Sequence, residues 1–120
     1  MSETTAAPAH EPVPSWTTRH GHVEGLDGLN DQLRLRVGGD YVGFLQIIDG
    51  SVAIAQAGQA DTVLTCDSLQ TLQNLLGGEL HPMIARLQGR AHVEGDPSRA
   101  LEILLGLREG SPWRGVASKG

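Results

Sequence analysis

The stretch that decides the fold is GRAHVEGDPSRALEILLGL, residues 89–107. It begins as a strand, reaches Gly95, and continues after Asp96-Pro97 as a very apolar helix. An Asp at the N-cap accepts hydrogen bonds from otherwise unpaired amides, and a Pro at the first helical position has no amide hydrogen to lose. Because the Asp96 carboxylate takes the place that an anion would occupy, the corner predicts a helix start and disfavours a phosphate site.

The helix that follows is apolar over more than one face. An ordinary surface helix buries a stripe roughly 100° wide, and this one exceeds it. The apolar residues are Ala100, Leu101, Ile103, Leu104, Leu105 and Leu107. A bound ligand, a fully packed core and a dimer interface would each explain the excess, and the residues alone leave these alternatives open.

Four more strands are predicted before this stretch. They occupy residues 32–37, 41–49, 51–56 and 61–66. In the second of them, Val42, Phe44 and Ile48 are expected on one face and Tyr41, Leu45 and Ile47 on the other. Asp49-Gly50 predicts a two-residue hairpin turn, because this pair tolerates positive φ.

Two helices are expected between the fourth of these strands and residue 89. Asp67 is the expected N-cap of the first, with Gln70 completing a capping box, and Pro82 opens a shorter second helix. The resulting order predicts an α+β fold, with a mostly antiparallel sheet of about five strands and the helices on one face.

Composition limits the function classes. A chain of 120 residues has room for one domain. Its net charge of −5 argues against nucleic acid as a partner. A single cysteine, no apolar leader and no run long enough to span a bilayer predict a cytoplasmic protein without stable membrane insertion.

The domain limits follow from where apolar periodicity begins and ends. Residues 1–29, with three prolines and no period, are expected to be a flexible arm. Residues 30–108 form the predicted domain, and 109–120 a flexible tail in which Trp113 could fold back as a plug.

Few residues suggest catalysis. Cys66 precedes a helix start, as some nucleophiles do, but a small buried core residue is the favoured interpretation. His81 and His92 have no partner at motif spacing, and His20-Gly21-His22 lacks a third metal ligand. Arg86 and Arg90 could meet a lipid headgroup, although a solvated charged surface is the simpler explanation. We therefore predict no enzyme, no metal and no cofactor.

Residues 58–107, GQADTVLTCDSLQTLQNLLGGELHPMIARLQGRAHVEGDPSRALEILLGL, carry a family resemblance. Ala60-Asp61 precedes a strand and a capped helix, a Gly-rich break and a Pro-started helix follow, and Leu87-Gln88-Gly89 leads into the strand that ends at Gly95-Asp96. This ordered set resembles the SCP2-like (sterol carrier protein 2) domain family over residues 32–107. The chain looks like a bacterial-type stand-alone member with a shortened N-terminal region.

The resemblance implies a layered α+β fold with an apolar tunnel between sheet and helices. It implies non-catalytic binding or carriage of sterols, fatty-acyl chains or similar lipids. The residues expected to bind the ligand are Phe44, Ile48, Leu72, Leu76, Ile84, Leu87, Gln88, Leu101, Leu104 and Leu105.

Alternative functions remain. The family usually has an amphipathic helix before the first strand, and a homodimer is one way to supply that missing wall. The alternative function is a dimeric accessory module that presents or shields a hydrophobic substrate for a partner enzyme. An enzyme that uses the tunnel as a substrate pocket, with His81 or His92 as its base, is the least favoured possibility.

Overall fold

The computed structural model describes residues 15–116 as an α+β fold, with one six-stranded sheet and three helices. The strands are β1 (Gly21–His22), β2 (Asp31–Val37), β3 (Asp40–Ile48), β4 (Ser51–Ala55), β5 (Val63–Cys66) and β6 (Ala91–Glu94). The helices are α1 (Leu69–Leu76), α2 (Pro82–Leu87) and α3 (Pro97–Leu107), and short 3-10 turns cover Ser15–Thr18 and Glu24–Leu26. The predicted fold class is confirmed, with one strand more than the expected five.

The sheet order is β1-β4-β3-β2-β5-β6. Every neighbouring pair is antiparallel except β2 and β5, where Arg34 lies opposite Val63 in a parallel pair. The chain therefore has to travel from β4 past β3 and β2 before β5 begins. It does so close to Phe44, since a Cβ atom added to Gly58 in this connection would lie 3.2 Å from the Phe44 ring.

The β3–β4 hairpin turns as the sequence predicts. Asp49 and Gly50 have φ angles of 49° and 83°, the positive values that a type I′ turn needs. The start of β3 differs from the expected alternation, because the β2–β3 register shifts between Leu35 and Arg36. As a result Val42 packs against the core instead of sharing a face with Phe44.

The core lies between one sheet face and the helices. From the sheet it contains Leu33, Leu35, Leu45, Ile47, Val52 and Leu64, and from the helices Leu72, Leu75, Leu76, Ala100, Ile103 and Leu107. Each fully buried Leu or Ile contributes about 1.5–3 kcal/mol through removal from water. Trp16 and Trp113 add two aromatic side chains to this largely aliphatic core.

The segment before residue 30 is part of this core. Trp16, Val23 and Leu26 are buried, and the Val23 amide donates to the Gly50 carbonyl at 2.9 Å. The expectation of a flexible arm is therefore wrong for residues 15–29. Isolated apolar side chains attach this segment to the core, although its sequence has no apolar periodicity. Residues 1–14 of the expected arm lie outside the described residues.

The segment after residue 108 is also packed. The Ser111 hydroxyl donates to the Leu76 carbonyl at 2.5 Å and accepts from the Trp113 amide at 3.0 Å. Trp113 is fully buried, so the flexible-tail expectation is wrong for 109–116 and the plug alternative is right. The domain extends beyond the predicted limits of 30–108, and residues 117–120 lie outside the described part.

The helix starts are set by side-chain caps. The Asp96 carboxylate accepts from the amides of Ser98 and Arg99 at 3.1 and 3.2 Å, with Pro97 at the first helical position as predicted. For α1 the predicted cap is wrong. The Ser68 hydroxyl, not Asp67, accepts from the Thr71 amide at 3.1 Å, because the helix begins one residue later than expected.

Candidate apolar binding site

An apolar crevice lies where α1, α2 and α3 cover β5 and β6. Its lining residues are Leu64, Leu75, Pro82, Met83, Arg86, Ala91, Val93, Pro97, Ala100, Leu101 and Leu104. The crevice has a volume of about 20 Å³, and a single water needs roughly 10–15 Å³. In this state it is a seam between packed side chains, with no room for a lipid.

The expected tunnel is not open between the sheet and the helices in residues 15–116. Leu72 and Leu76, which were expected at the tunnel wall, are completely buried in the core. The indole of Trp113 is buried in the same core. The long aliphatic side chains of α1 fill the space that the resemblance would leave to a ligand.

The mouth of the crevice is an exposed apolar surface. Met83 of α2 is 39% exposed, and Leu101 of α3, which lines the crevice with it, is half-buried. Leu105, one turn after Leu101, is 37% exposed. Of the six residues of α2, Pro82 and Ala85 alone are buried.

The predicted ligand-binding residues fall into four groups. Leu101 and Leu104 line the crevice, and Leu72 and Leu76 belong to the core. Ile84, Leu87, Gln88 and Leu105 are exposed on the outside of the helical layer. Phe44 and Ile48 lie on the opposite sheet face and do not line the crevice.

The placement of Phe44 follows from strand alternation. Leu45 and Ile47 point into the helical side of the sheet, and Phe44 therefore lies opposite Arg34 on the other face. There its ring packs edge-on to Tyr41, with centroids 5.4 Å apart, and the Arg34 guanidinium lies 5.3 Å from both centroids. Phe44 is buried by this cluster and by the β4–β5 connection.

Several lining residues escaped the sequence prediction. Met83, Ala91, Val93 and Ala100 line the crevice but were not among the expected residues. Ala91 and Val93 are two residues apart on β6 and therefore share one face of the strand. Ala100 lies one helical turn before Leu104. Small residues at two such positions leave space at a sheet–helix contact, and that signal could have located the crevice.

The two arginines near the crevice differ in their partners. Arg90 donates from Nη2 to the Thr71 hydroxyl at 3.0 Å, and its Nε lies 3.9 Å from the Asp67 carboxylate. The bond from Thr71, together with the charge of Arg90, lowers the pKa of Asp67. The carbonyl of Arg86 accepts from the Gly89 amide at 3.0 Å, but its guanidinium, which lines the crevice, makes no hydrogen bond or ion pair within residues 15–116.

The candidate nucleophile is buried. Cys66 is 1% exposed on β5, and burial, followed by the negative charge of Asp67, raises the pKa of its thiol to about 12. Its thiolate, the reactive form, is therefore scarce near neutral pH. Cys66 serves as a core residue.

The histidines have structural or solvent contacts. The His81 Nδ1 accepts from the Met83 amide at 3.1 Å and so caps α2, and His92 is exposed on β6. His22 Nε2 lies 2.6 Å from the Asp27 carboxylate. No three His, Cys, Asp or Glu side chains of the described chain are grouped closely enough to bind a metal. The helices within 15–116 are also too short or too polar to cross a bilayer.

A second, polar groove of about 480 Å³ opens at the start of β2. Asn30, Gln32, Gln46 and Gln59 line it with amide groups. Several of these groups already serve the fold: Asn30 accepts from the Asp49 amide at 3.0 Å, and Gln32 from the Gln59 amide at 3.2 Å. The groove is wide and shallow, and its Asn30 and Gln32 side chains are already bonded to backbone amides.

Comparison with known proteins finds similarity of structure. No protein-family model matches the sequence, and no curated protein is similar to it in sequence. The stereoselective inverting sec-alkylsulfatase from Pseudomonas sp. matches with a TM-score of 0.54 and 20% identity, over 74% of this chain and 14% of that one. The chain thus spans a small fraction of that enzyme.

Two smaller proteins are similar over most of their own length. The ubiquinone synthesis protein UbiJ-SCP2 has a TM-score of 0.48 and 22% identity, over 69% of this chain and 71% of that one. A possible sterol carrier protein from Thermus thermophilus has a TM-score of 0.43 and 18% identity, over 86% and 91%. At such identities the similarity concerns the fold. The fold itself is α+β, a mostly antiparallel sheet with its helices on one face.

Proposed function

We propose that this protein binds lipid-like apolar molecules, linear acyl chains in particular, in the crevice beneath α2 and carries them without chemical change. The observation that supports the proposal is the composition of the crevice wall. Ten of its eleven lining residues are apolar, and the remaining one, Arg86, is neither a nucleophile nor a general base at neutral pH. Such a wall favours binding by burial and offers no catalytic group.

The closed crevice has to open for a ligand, and α2 is the element that can move. It is the shortest helix and has two buried residues. Gly78 precedes it and Gly89 follows it, with φ angles of 80° and 73°. Elements with little buried surface open at low free-energy cost. An outward shift of α2 would separate Met83 from Leu101 and widen the crevice.

For an acyl chain of moderate length, the apolar burial gained exceeds the cost of exposing the buried side chains of α2. Exposing the two buried side chains of α2 costs about 3 kcal/mol. Burying eight methylene groups of an acyl chain contributes about 6 kcal/mol at roughly 0.8 kcal/mol each. A linear chain also fits a slot under one helix better than a rigid sterol does. The proposal therefore favours acyl chains over sterols.

The test uses dodecanol, an uncharged alkyl probe. We expect it to shift the backbone amide NMR signals of α2, α3 and β6, and to be retained by native mass spectrometry. Leu101→Trp should fill the mouth of the crevice and abolish the shifts. The matched control is Ile48→Trp, because Ile48 is 66% exposed on the opposite sheet face. Shifts that are absent in the wild type, or equal in both variants, would contradict the proposal.

A second candidate function is that of an accessory module which docks on a partner. Leu87 is 81% and Ile84 48% exposed on the outside of α2, and exposed apolar side chains are typical of protein contacts. If this surface pairs two copies of the chain, light scattering will give twice the monomer mass. Leu87→Glu should then restore the monomer. A monomeric wild type would exclude the dimeric form of this function.

A further inference from the structure

Arg86 is the polar exception in an apolar site. Among the eleven lining residues of the crevice it is the one that carries a charge, and no acidic residue is among the others. Arg99, by contrast, pairs with the Asp31 carboxylate at 3.0 Å, and Arg90 bonds to Thr71. The guanidinium of Arg86 has no such partner within residues 15–116.

The position of Arg86 suits a headgroup contact. It lies in the last turn of α2, and its side chain is exposed while still lining the crevice. Arginine commonly packs its methylene stem along apolar surface and keeps the guanidinium in water. A ligand whose chain lay between Met83 and Leu101 would leave its polar end beside this guanidinium.

We infer that the crevice selects anionic single-chain amphiphiles, with the chain under α2 and a carboxylate or phosphate headgroup on Arg86. This inference rests on the proposed function, since it assigns a ligand class to the same site. A planar guanidinium matches the two oxygens of such a headgroup. A cationic headgroup would meet the like charge of Arg86 at the mouth and be rejected.

The positive charge of Arg86 and the negative net charge of the protein have opposite effects on an anionic ligand. The net charge of −5 favours cationic ligands at long range. Screening at physiological salt limits that effect to about 8 Å, whereas a direct contact persists. Selection for an anion therefore depends on Arg86 itself, and removal of this one residue should abolish the preference.

The experiment compares four ligands that share a twelve-carbon chain: laurate, dodecyl phosphate, dodecanol and dodecyltrimethylammonium. Affinities are measured below the micellar concentration from amide shifts of the full chain. We expect laurate and dodecyl phosphate to bind about three- to five-fold more tightly than dodecanol, the upper part of the range of an exposed ion pair. Arg86→Gln should remove this difference and leave dodecanol within about two-fold.

Arg36→Gln is the matched control. It removes the same charge from a half-buried residue on the opposite sheet face, where Arg36 bonds to the Gly39 carbonyl at 3.4 Å. Laurate and dodecyl phosphate should bind this variant as they bind the wild type. Unchanged amide spectra will show that both variants are folded.

The possible outcomes distinguish a failure of the role of Arg86 from a failure of the proposed function. Equal binding of charged and uncharged ligands, or an equal loss in Arg36→Gln, overturns the role of Arg86 and leaves the crevice proposal intact. Binding of laurate without dodecyl phosphate supports the anion site and assigns it to carboxylates, and the converse assigns it to phosphates. If none of the ligands binds, both the inference and the proposed function fail.

Discussion

Gly25 lies so close to Gly106 of α3 that a Cβ atom on Gly25 would be 2.8 Å from the Gly106 carbonyl oxygen. The 3-10 turn Glu24–Leu26 and α3 therefore pack backbone against backbone, with no space for a side chain between them. This contact attaches the segment before β2 to the helical layer. It explains why the residues there are ordered despite their lack of periodicity.

Gly25→Ala should destabilise the protein by about 1–3 kcal/mol, the usual cost of overpacking. The added methyl group meets backbone, which cannot rotate away as a side chain can. Urea unfolding followed by circular dichroism measures the change. Gly39→Ala is the control, since nothing lies within 4 Å of a Cβ there and its φ is not positive. An equal effect of both substitutions would contradict the close contact.

Trp113→Ala should cost about 3–5 kcal/mol, because it removes a fully buried indole from the core. Trp113→Phe should cost much less. The indole Nε1 is buried with no hydrogen-bond partner within residues 15–116, and an unpaired buried donor costs about 1–3 kcal/mol. Phenylalanine keeps most of the ring volume and removes that donor. Equal losses in the two variants would show that Trp113 is not held as described.

Stability should fall at alkaline pH because of Cys66. Its pKa is about 12 in the folded protein against 9.0 for an ordinary thiol, so the folded state holds the proton more tightly. The stabilisation is complete below pH 9 and is lost as pH rises toward 12. Between about pH 8 and pH 10.5, the wild type should lose more unfolding free energy than Cys66→Ala. Parallel losses would exclude a contribution from this thiol.

Asp96→Ala should destabilise α3 by about 1 kcal/mol, because two amides lose their acceptor. Thermal unfolding monitored by circular dichroism reports the change. Glu102→Ala, an exposed position on the same helix, should have almost no effect. If the loss at Asp96 is no larger than at Glu102, the cap does not form in solution.

Local signals in the sequence were enough for most of the fold. The Asp49-Gly50 turn, the Asp96-Pro97 corner and the alternation of residues 32–37 each depend on neighbours in the chain, and each is found as expected. The cap at Asp67 was misplaced because Ser68 is an equally good cap, and the choice between them depends on where the helix packs.

The candidate site was harder to predict because it depends on contacts that are distant in sequence. Phe44 lies on the face away from the helices, and strand alternation cannot predict this because both faces of β3 carry apolar residues. The family resemblance predicts Leu72 and Leu76 at a tunnel wall, but both are buried in the core together with Trp113. A leucine at a cavity wall and a leucine in a filled core have the same sequence pattern.

The bond between Ser111 and Leu76 has a consequence for synthesis of the protein. A growing chain that has reached Leu107 contains every strand and helix of the described fold, yet it lacks the indole that completes the core. Its leucines stay partly open to water until Trp113 has left the ribosome. Closure of the core therefore requires Trp113 to have left the ribosome, and a chain that stops short of it offers apolar surface to chaperones.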